Sequence, residues 1–236
     1  MTLDLARDWT ELPLVVVDTE TTGLPQYDVD PETGEYVLQR EICEIAAVRF
    51  ERGSPAGEYS TLVRPNRLIP ADATRIHGIT NAMVAGAPCI EEAAAGIWKV
   101  ARDALPVAFN APFDRQFFHA KVQGSDCPLF DAEHAWIDVY TIVSSPRVDK
   151  WVKGQGRLKL GACCARHGVQ HESAHRALGD ALATGKLLWR LHEKGLVKAC
   201  PARRMLQWGA IRREQQDEDY ARYKARRERE QLALDV

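Results

Sequence analysis

The sequence predicts an α/β sandwich with a mixed central sheet flanked by helices and followed by a charged helical extension. Three observations carry that prediction. The first third of the chain reads as strands, the middle mixes strand and helix, and the composition changes after residue 200. Of the 236 residues, 45% are hydrophobic and 27% are charged, a globular balance that excludes wholesale disorder. There are 22 basic and 26 acidic side chains up to residue 200, and 9 basic and 7 acidic beyond it, so net charge moves from −4 to +2. Residues 1–200 therefore read as one domain and 201–236 as an extension of different character. No global positive field advertises nucleic acid, although a metal-charged acidic site supplies its own positive charge.

Leu14-Val15-Val16-Val17 is β-branched and reads as a buried strand ended by Asp18 and the turn Thr22-Gly23-Leu24-Pro25. Residues 26–40 read as a hairpin insertion, because Pro31-Glu32-Thr33-Gly34 is a turn signal between the pairs Tyr27/Val29 and Tyr36/Leu38. Ile42 to Phe50 is a second long strand, and Glu58 to Arg64 alternates as a third. Helices follow at Thr80 to Met83 and Ile90 to Ala101; the latter carries Ile90, Ala94, Ile97 and Ala101 on one face. Leu105 to Phe109 is a short strand leading through Asn110 into a helix with Phe113 and Phe117. Trp136 to Val143 forms a further element, Arg157 to Arg166 reads as a helix stopped by Gly168, and Ala177 to His192 is the clearest helix. Ser144 to Lys159 is a polar loop combining Lys150, Trp151, Lys153 and Arg157, a mixture that suits strand binding as well as a solvated loop. Ile211 to Leu234 is charge-dense and reads as a solvated helix.

No apolar run approaches the ~18 residues that a membrane span needs. The start MTLDLARDWTEL carries acids and a Trp where a secretory signal needs a basic, then apolar, stretch. The six cysteines contain no C-x-x-C pair; Cys43, Cys163 and Cys164 read as buried free thiols. A cytoplasmic protein without a membrane partner is expected.

Chemistry concentrates at three element ends. Asp18 and Glu20 stand at i and i+2, which puts both carboxylates on one face of an extended strand. Alone, that pair also suits a solvated strand end. Asp114 falls in the first turn of a helix opened by Pro112, where it could equally complement the helix dipole. Asp180 faces inward on a helix otherwise filled by Ala and Leu, where a carboxylate is costly unless it is paired or ligates metal. His175 stands at that helix's entrance. Four carboxylates and one histidine form an oxygen-rich set that suits Mg2+ or Mn2+, two ions per site, and hence in-line displacement at phosphorus.

These residues carry a resemblance. Asp18-Thr19-Glu20-Thr21-Thr22-Gly23-Leu24, Ile45-Ala46-Ala47-Val48, Arg75-Ile76-His77-Gly78-Ile79-Thr80, Phe109-Asn110-Ala111-Pro112-Phe113-Asp114 and His175-Arg176-Ala177-Leu178-Gly179-Asp180-Ala181 resemble the motifs of the DEDD 3′–5′ exonucleases. The match runs over about residues 12–192. His175, five residues before Asp180, points to the histidine (DEDDh) branch, to which the proofreading subunit of bacterial DNA polymerase III belongs. The resemblance implies a ribonuclease H-like fold and release of 5′-mononucleotides from a free 3′ end. It implies that Asp18, Glu20, Asp114 and Asp180 hold the metals, and that His175 is the general base. It further implies that Thr21, Leu24, His77 and Ile79, with Asn110 and Phe113, receive the terminal nucleotide. Asp138 matches a recurrent acid of the family and is assigned to structure. The expected substrate is single-stranded nucleic acid with a free 3′ end, DNA first, with exoribonuclease action on RNA ends or short oligoribonucleotides as the alternative. The extension is the expected contact for a replication or repair protein. A non-catalytic partner-binding module is the remote alternative.

Overall fold

A computed structural model describes residues 3–34, 36–121, 136–148, 158–172 and 174–234. Its organising element is β1 (Leu14–Thr21), which runs through the acidic motif instead of ending at Asp18. The reason is its neighbour: β4 (Ile42–Glu51) pairs antiparallel with β1 from Leu14↔Phe50 to Glu20↔Glu44, so the ladder holds the carboxylates in extended backbone. A register shift between Glu20 and Thr21 ends the regular pairing. Between these strands β2 (Tyr27–Val29) and β3 (Tyr36–Leu38) form a separate two-stranded hairpin. Leu38 is buried and anchors it.

β5 (Ser54–Leu62) pairs antiparallel with β4 and begins four residues earlier than the sequence reading. Arg52 (φ 48) and Gly53 (φ 90) make a tight left-handed connection. Pro55 and Gly57 are tolerated after it because β5 is an edge strand. β6 (Leu105–Ala108) then lies parallel to β1, and β7 (Ile137–Asp138) parallel to β6, giving the order β5-β4-β1-β6-β7 in a mixed sheet.

The helices are α1 (Ala71–His77), α2 (Asn81–Val84), α3 (Ile90–Ala101), α4 (Ala111–Lys121), α5 (Val139–Val143), α6 (Leu160–His167), α7 (Ala177–Glu193) and α8 (Ala202–Leu234). Alternation along β1 divides the core. Leu14 and Val16 join Val48, Phe50 and the α7 residues Ala181, Leu187 and Leu188; Val15 and Val17 join Ile45, Ala93, Ile97 and Phe117 beneath α3 and α4. α7 lies close to the sheet because Gly185 has no side chain: a Cβ there would come within 2.3 Å of the Phe50 ring. A third, smaller cluster gathers Cys43, Ile69, Ala73, Ile79 and Val84 around α1 and α2. Burial raises the Cys43 and Cys164 thiols to about 12, so both are unreactive near neutral pH.

α6 starts at Leu160, three residues later than the sequence reading, and ends at Gly168 in the left-handed conformation. α8 departs further from its expectation of a solvated helix from about Ile211. It begins at Ala202, and its first turns are packed: Ala202 and Met205 are buried, with Leu206 and Trp208 against the same core. The N-terminal segment fastens this end, since the Ala202 N–H donates to Arg7 O (2.9 Å) and the Arg203 N–H to Leu5 O (3.0 Å). The cation–aromatic set Lys150, Trp151, Lys153 and Arg157 lies outside the described residues. Among the described residues, no helix is long and apolar enough to cross a membrane.

Candidate active site

The face of β1 that carries Leu14 and Val16 into the core continues outward as Asp18 and Glu20, and α7 packs against that face. Asp180, in the first turn of α7, completes a triad: one carboxylate oxygen from each of Asp18, Glu20 and Asp180 lies within 4.8 Å of the others. The opposite face contributes the fourth acid. Thr19 Oγ1 donates to Asp114 Oδ1 at 2.8 Å, and Asp114 is buried in the first turn of α4.

This cluster is unfavourable by itself. Burial, and then the charges of Asp114, Asp180, Glu20 and Glu44, raise Asp18 well above the usual carboxylate range. Glu20 is pushed to about 8, chiefly by burial and then by Asp180 and Glu44, with Arg176 opposing. Burial raises Asp114 to about 7 despite the opposing hydrogen bond from Thr19. Desolvated carboxylates that repel one another and offer only oxygen donors fit a hard divalent cation.

A stability prediction follows. Folded Glu20 and Asp114 retain protons that the unfolded chain releases near pH 4, so the folded state binds more protons between about pH 4 and 8. Stability of the metal-free protein is therefore fully present at low pH and falls as pH rises through that window. Thermal melts in EDTA should show a lower midpoint at pH 8 than at pH 5.5, and Mg2+ should reverse the loss at pH 8. A midpoint that rises with pH in EDTA would contradict the electrostatics.

The frame around the acids holds residues that the sequence reading passed over. Glu44, opposite Glu20 in the ladder, is buried and accepts from Arg176 Nη2 (2.6 Å) and Nε (3.1 Å). The same carboxylate accepts the Ala177 N–H at 3.0 Å, so it fixes the start of α7 and with it Asp180. A lone acid inside the apolar run Ile42 to Phe50 was the available signal for Glu44. His171 gave none: its Nε2 lies 2.5 Å from Asp180 Oδ1, with the side chain 11% exposed. His175 is exposed at φ 64, and among the described residues no hydrogen bond or ion pair ties it to the acids.

The residues expected at the terminal nucleotide divide. Leu24 is 75% exposed beside the acidic motif, whereas Thr21 is buried and donates from Oγ1 to Gly23 O (2.9 Å). His77 is buried: its Nδ1 accepts the Ile79 N–H at 3.0 Å, its Nε2 lies 3.9 Å from Cys43 Sγ, and burial lowers its pKa. Ile79 is fully buried in the third cluster. Thr80 caps α2 by accepting the Met83 N–H. Phe113 lies against Phe117 with ring centroids 5.2 Å apart and planes tilted by 55°, and Asn110 adopts φ 71 at the start of α4.

A mixed sheet with a carboxylate cluster at the end of its middle strand agrees with the ribonuclease H-like fold that the motif resemblance implies. The family follows from comparison with known proteins. Residues 15–188 match the family described as Exonuclease (RNase_T), and this chain belongs to it. A DNA polymerase III subunit epsilon-like protein of Rhodobacter capsulatus is 39% identical over 209 residues, covering 85% of this chain. The present chain spans only 26% of that relative's length. Exonuclease X, solved in complex with 5′ overhanging duplex DNA, is 27% identical with a TM-score of 0.59, covering 83% of this chain and 99% of its own. The nuclease domain of 3′hExo, a DEDDh family member bound to rAMP, shares the fold at 15% identity and a TM-score of 0.58, covering 79% of this chain and 95% of its own.

Proposed function

We propose that this exonuclease is a divalent-metal-dependent enzyme that removes 5′-mononucleotides from the 3′ end of DNA, in proofreading, repair or end trimming. The observation that carries the reading is the convergence of Asp18, Glu20 and Asp180 within 4.8 Å on one face. Asp18, Glu20 and Asp180 would hold a divalent ion, and Asp114 would complete the acid set for a second. Bound Mg2+ or Mn2+ supplies an activated water and neutralises charge on the leaving 3′ oxygen. His175 takes the proton of the attacking water, a role that suits an imidazole near neutral pH. Its exposed position at the entrance of α7, five residues before Asp180, leaves the ring open to a bound 3′ end and supports that reading.

Thr21, Leu24, His77, Ile79, Asn110 and Phe113 are assigned to the terminal nucleotide. Leu24 offers an exposed apolar face to the base, whereas His77 and Ile79, both buried, would act through the packing of the segment around α1 and α2. Residues 1–200 make the exonuclease domain and 201–236 an extension whose outer part meets a replication or repair partner. DNA is favoured over RNA because Exonuclease X was solved on DNA and the Rhodobacter relative is named after a DNA polymerase subunit.

The test uses matched single-stranded DNA and RNA oligonucleotides, each with a free or a phosphate-blocked 3′ end. Degradation of the free-ended DNA at least tenfold faster than the RNA is expected, with the blocked ends resistant. Faster RNA degradation would make the enzyme an exoribonuclease with the same acids. Equal cleavage of blocked and free ends would overturn the 3′–5′ direction.

A further inference from the structure

α8 lies wholly beyond residues 15–188, the span that matches the exonuclease family, yet one of its side chains reaches the root of the active-site helix. Arg213 Nη2 donates to Asp138 Oδ2 and, at 3.2 Å, to Asn110 Oδ1. Its guanidinium also lies 5.4 Å from the centre of the Tyr140 ring. Arg213 is 22% exposed and Asp138 8%, so the pair is shielded from solvent. Neighbouring turns hold α8 down: Arg212 Nη2 donates to Ser144 O (3.4 Å) and Gln216 Nε2 to Ser144 Oγ.

What Arg213 holds matters more than the ion pair itself. Asp138 Oδ1 accepts the Tyr140 N–H (3.0 Å), capping α5, and also the Asn110 N–H (2.9 Å). Asn110 has φ 71, a left-handed conformation that a non-glycine residue keeps only when its surroundings fix it. Arg213 and Asp138 supply that fixation from two sides, one on the side chain and one on the backbone. The Asn110 carbonyl then accepts the Phe113 N–H (2.9 Å), the first bond of the turn that carries Asp114. A continuous series of polar contacts therefore runs from α8 through Asn110 to the acid that meets Thr19 on β1.

We propose that Arg213 is a positioning residue for Asp114, and that the C-terminal helix is a strut for the active site rather than only a tether. The proposal rests on the assignment of Asp114 to the metal site. Arg213 is suited to the task because one Nη2, with two N–H donors, serves a carboxylate and an amide oxygen at once while the planar guanidinium lies over the Tyr140 ring, a combination that a lysine ammonium does not reproduce.

The experiment compares full-length wild type with R213M, R213K and the double variant R213M/D138N. R213M alone leaves Asp138 shielded and unpaired and can fail to fold; the double variant removes both charges and avoids that cost. Steady-state kcat and KM on a single-stranded oligonucleotide are measured beside a calorimetric titration with Mn2+ alone and a thermal melt. In the double variant kcat should fall roughly 10- to 100-fold with KM within about twofold, and Mn2+ affinity should fall about tenfold. R213K should lie between it and wild type, and R212M, which among the described residues loses hydrogen bonds to Gln215 and Ser144 but none to Asp138 or Asn110, should lose far less kcat than the double variant. Wild-type kcat and Mn2+ affinity in the double variant would overturn the proposal, and so would a loss confined to KM or to the melting temperature. If the wild type degrades no nucleic acid, the proposed function fails, while the Mn2+ titration still decides whether Arg213 supports the site.

Discussion

Asp18→Ala is expected to abolish nuclease activity, lowering the rate by roughly a thousandfold or more, about 4 kcal/mol of lost transition-state stabilisation. Beyond the effect of burial, Asp18 feels Asp114, Asp180, Glu20 and Glu44 together. Removing it takes away the carboxylate that can be shared between two cations. The same electrostatics predict an opposite effect on the fold. Asp18→Asn keeps the shape and removes a carboxyl whose ionisation is opposed by burial and by its neighbours, so in EDTA at pH 8 its melting midpoint should exceed that of the wild type. Activity lost with stability gained is the signature of a metal site held together against its own repulsion. A variant that lost both would indicate a structural role for Asp18, and one that kept activity would remove the site assignment.

His175→Ala is expected to cost about 10²–10⁴-fold in kcat, with the acidic limb of the pH–rate profile lost. Its position makes the test sharper, because two histidines compete for the role. His171 already touches Asp180, whereas His175 is exposed on the loop before α7. Parallel measurement of His171→Ala separates them. The account expects His175→Ala to remove the pH dependence and His171→Ala to retain it. If His175→Ala kept the wild-type rate and profile while His171→Ala lost both, the base would be His171.

Much of this site was legible because its signals are local. A strand face with period two brings Asp18 and Glu20 together without knowledge of any other element, and an acid on the inner face of an Ala/Leu helix marks Asp180. The residues that were missed depend on register between distant segments. Glu44 is 132 residues from Arg176, and Thr19 is 95 residues from Asp114; only the assembled sheet and helices bring them together. The end of β1 was misread for a related reason. Carboxylates usually terminate strands, but pairing with β4 as far as Glu20↔Glu44 carries this one through them. α8 was misread because charge density describes the whole segment, while burial of Ala202 and Met205 and the reach of Arg213 are properties of three turns. The mixed character of the sheet and the buried free thiols Cys43, Cys163 and Cys164 agree with the sequence reading.

The central claim, metal-dependent removal of nucleotides from a 3′ end, is tested most directly by a time course on one single-stranded DNA oligonucleotide labelled at either end. The reaction is run with Mg2+ and with excess EDTA. The account predicts immediate mononucleotide from the 3′ label, a descending ladder from the 5′ label, and no cleavage in EDTA. Internal fragments at early times, mononucleotide released first from the 5′ label, or cleavage that persists in EDTA would contradict it.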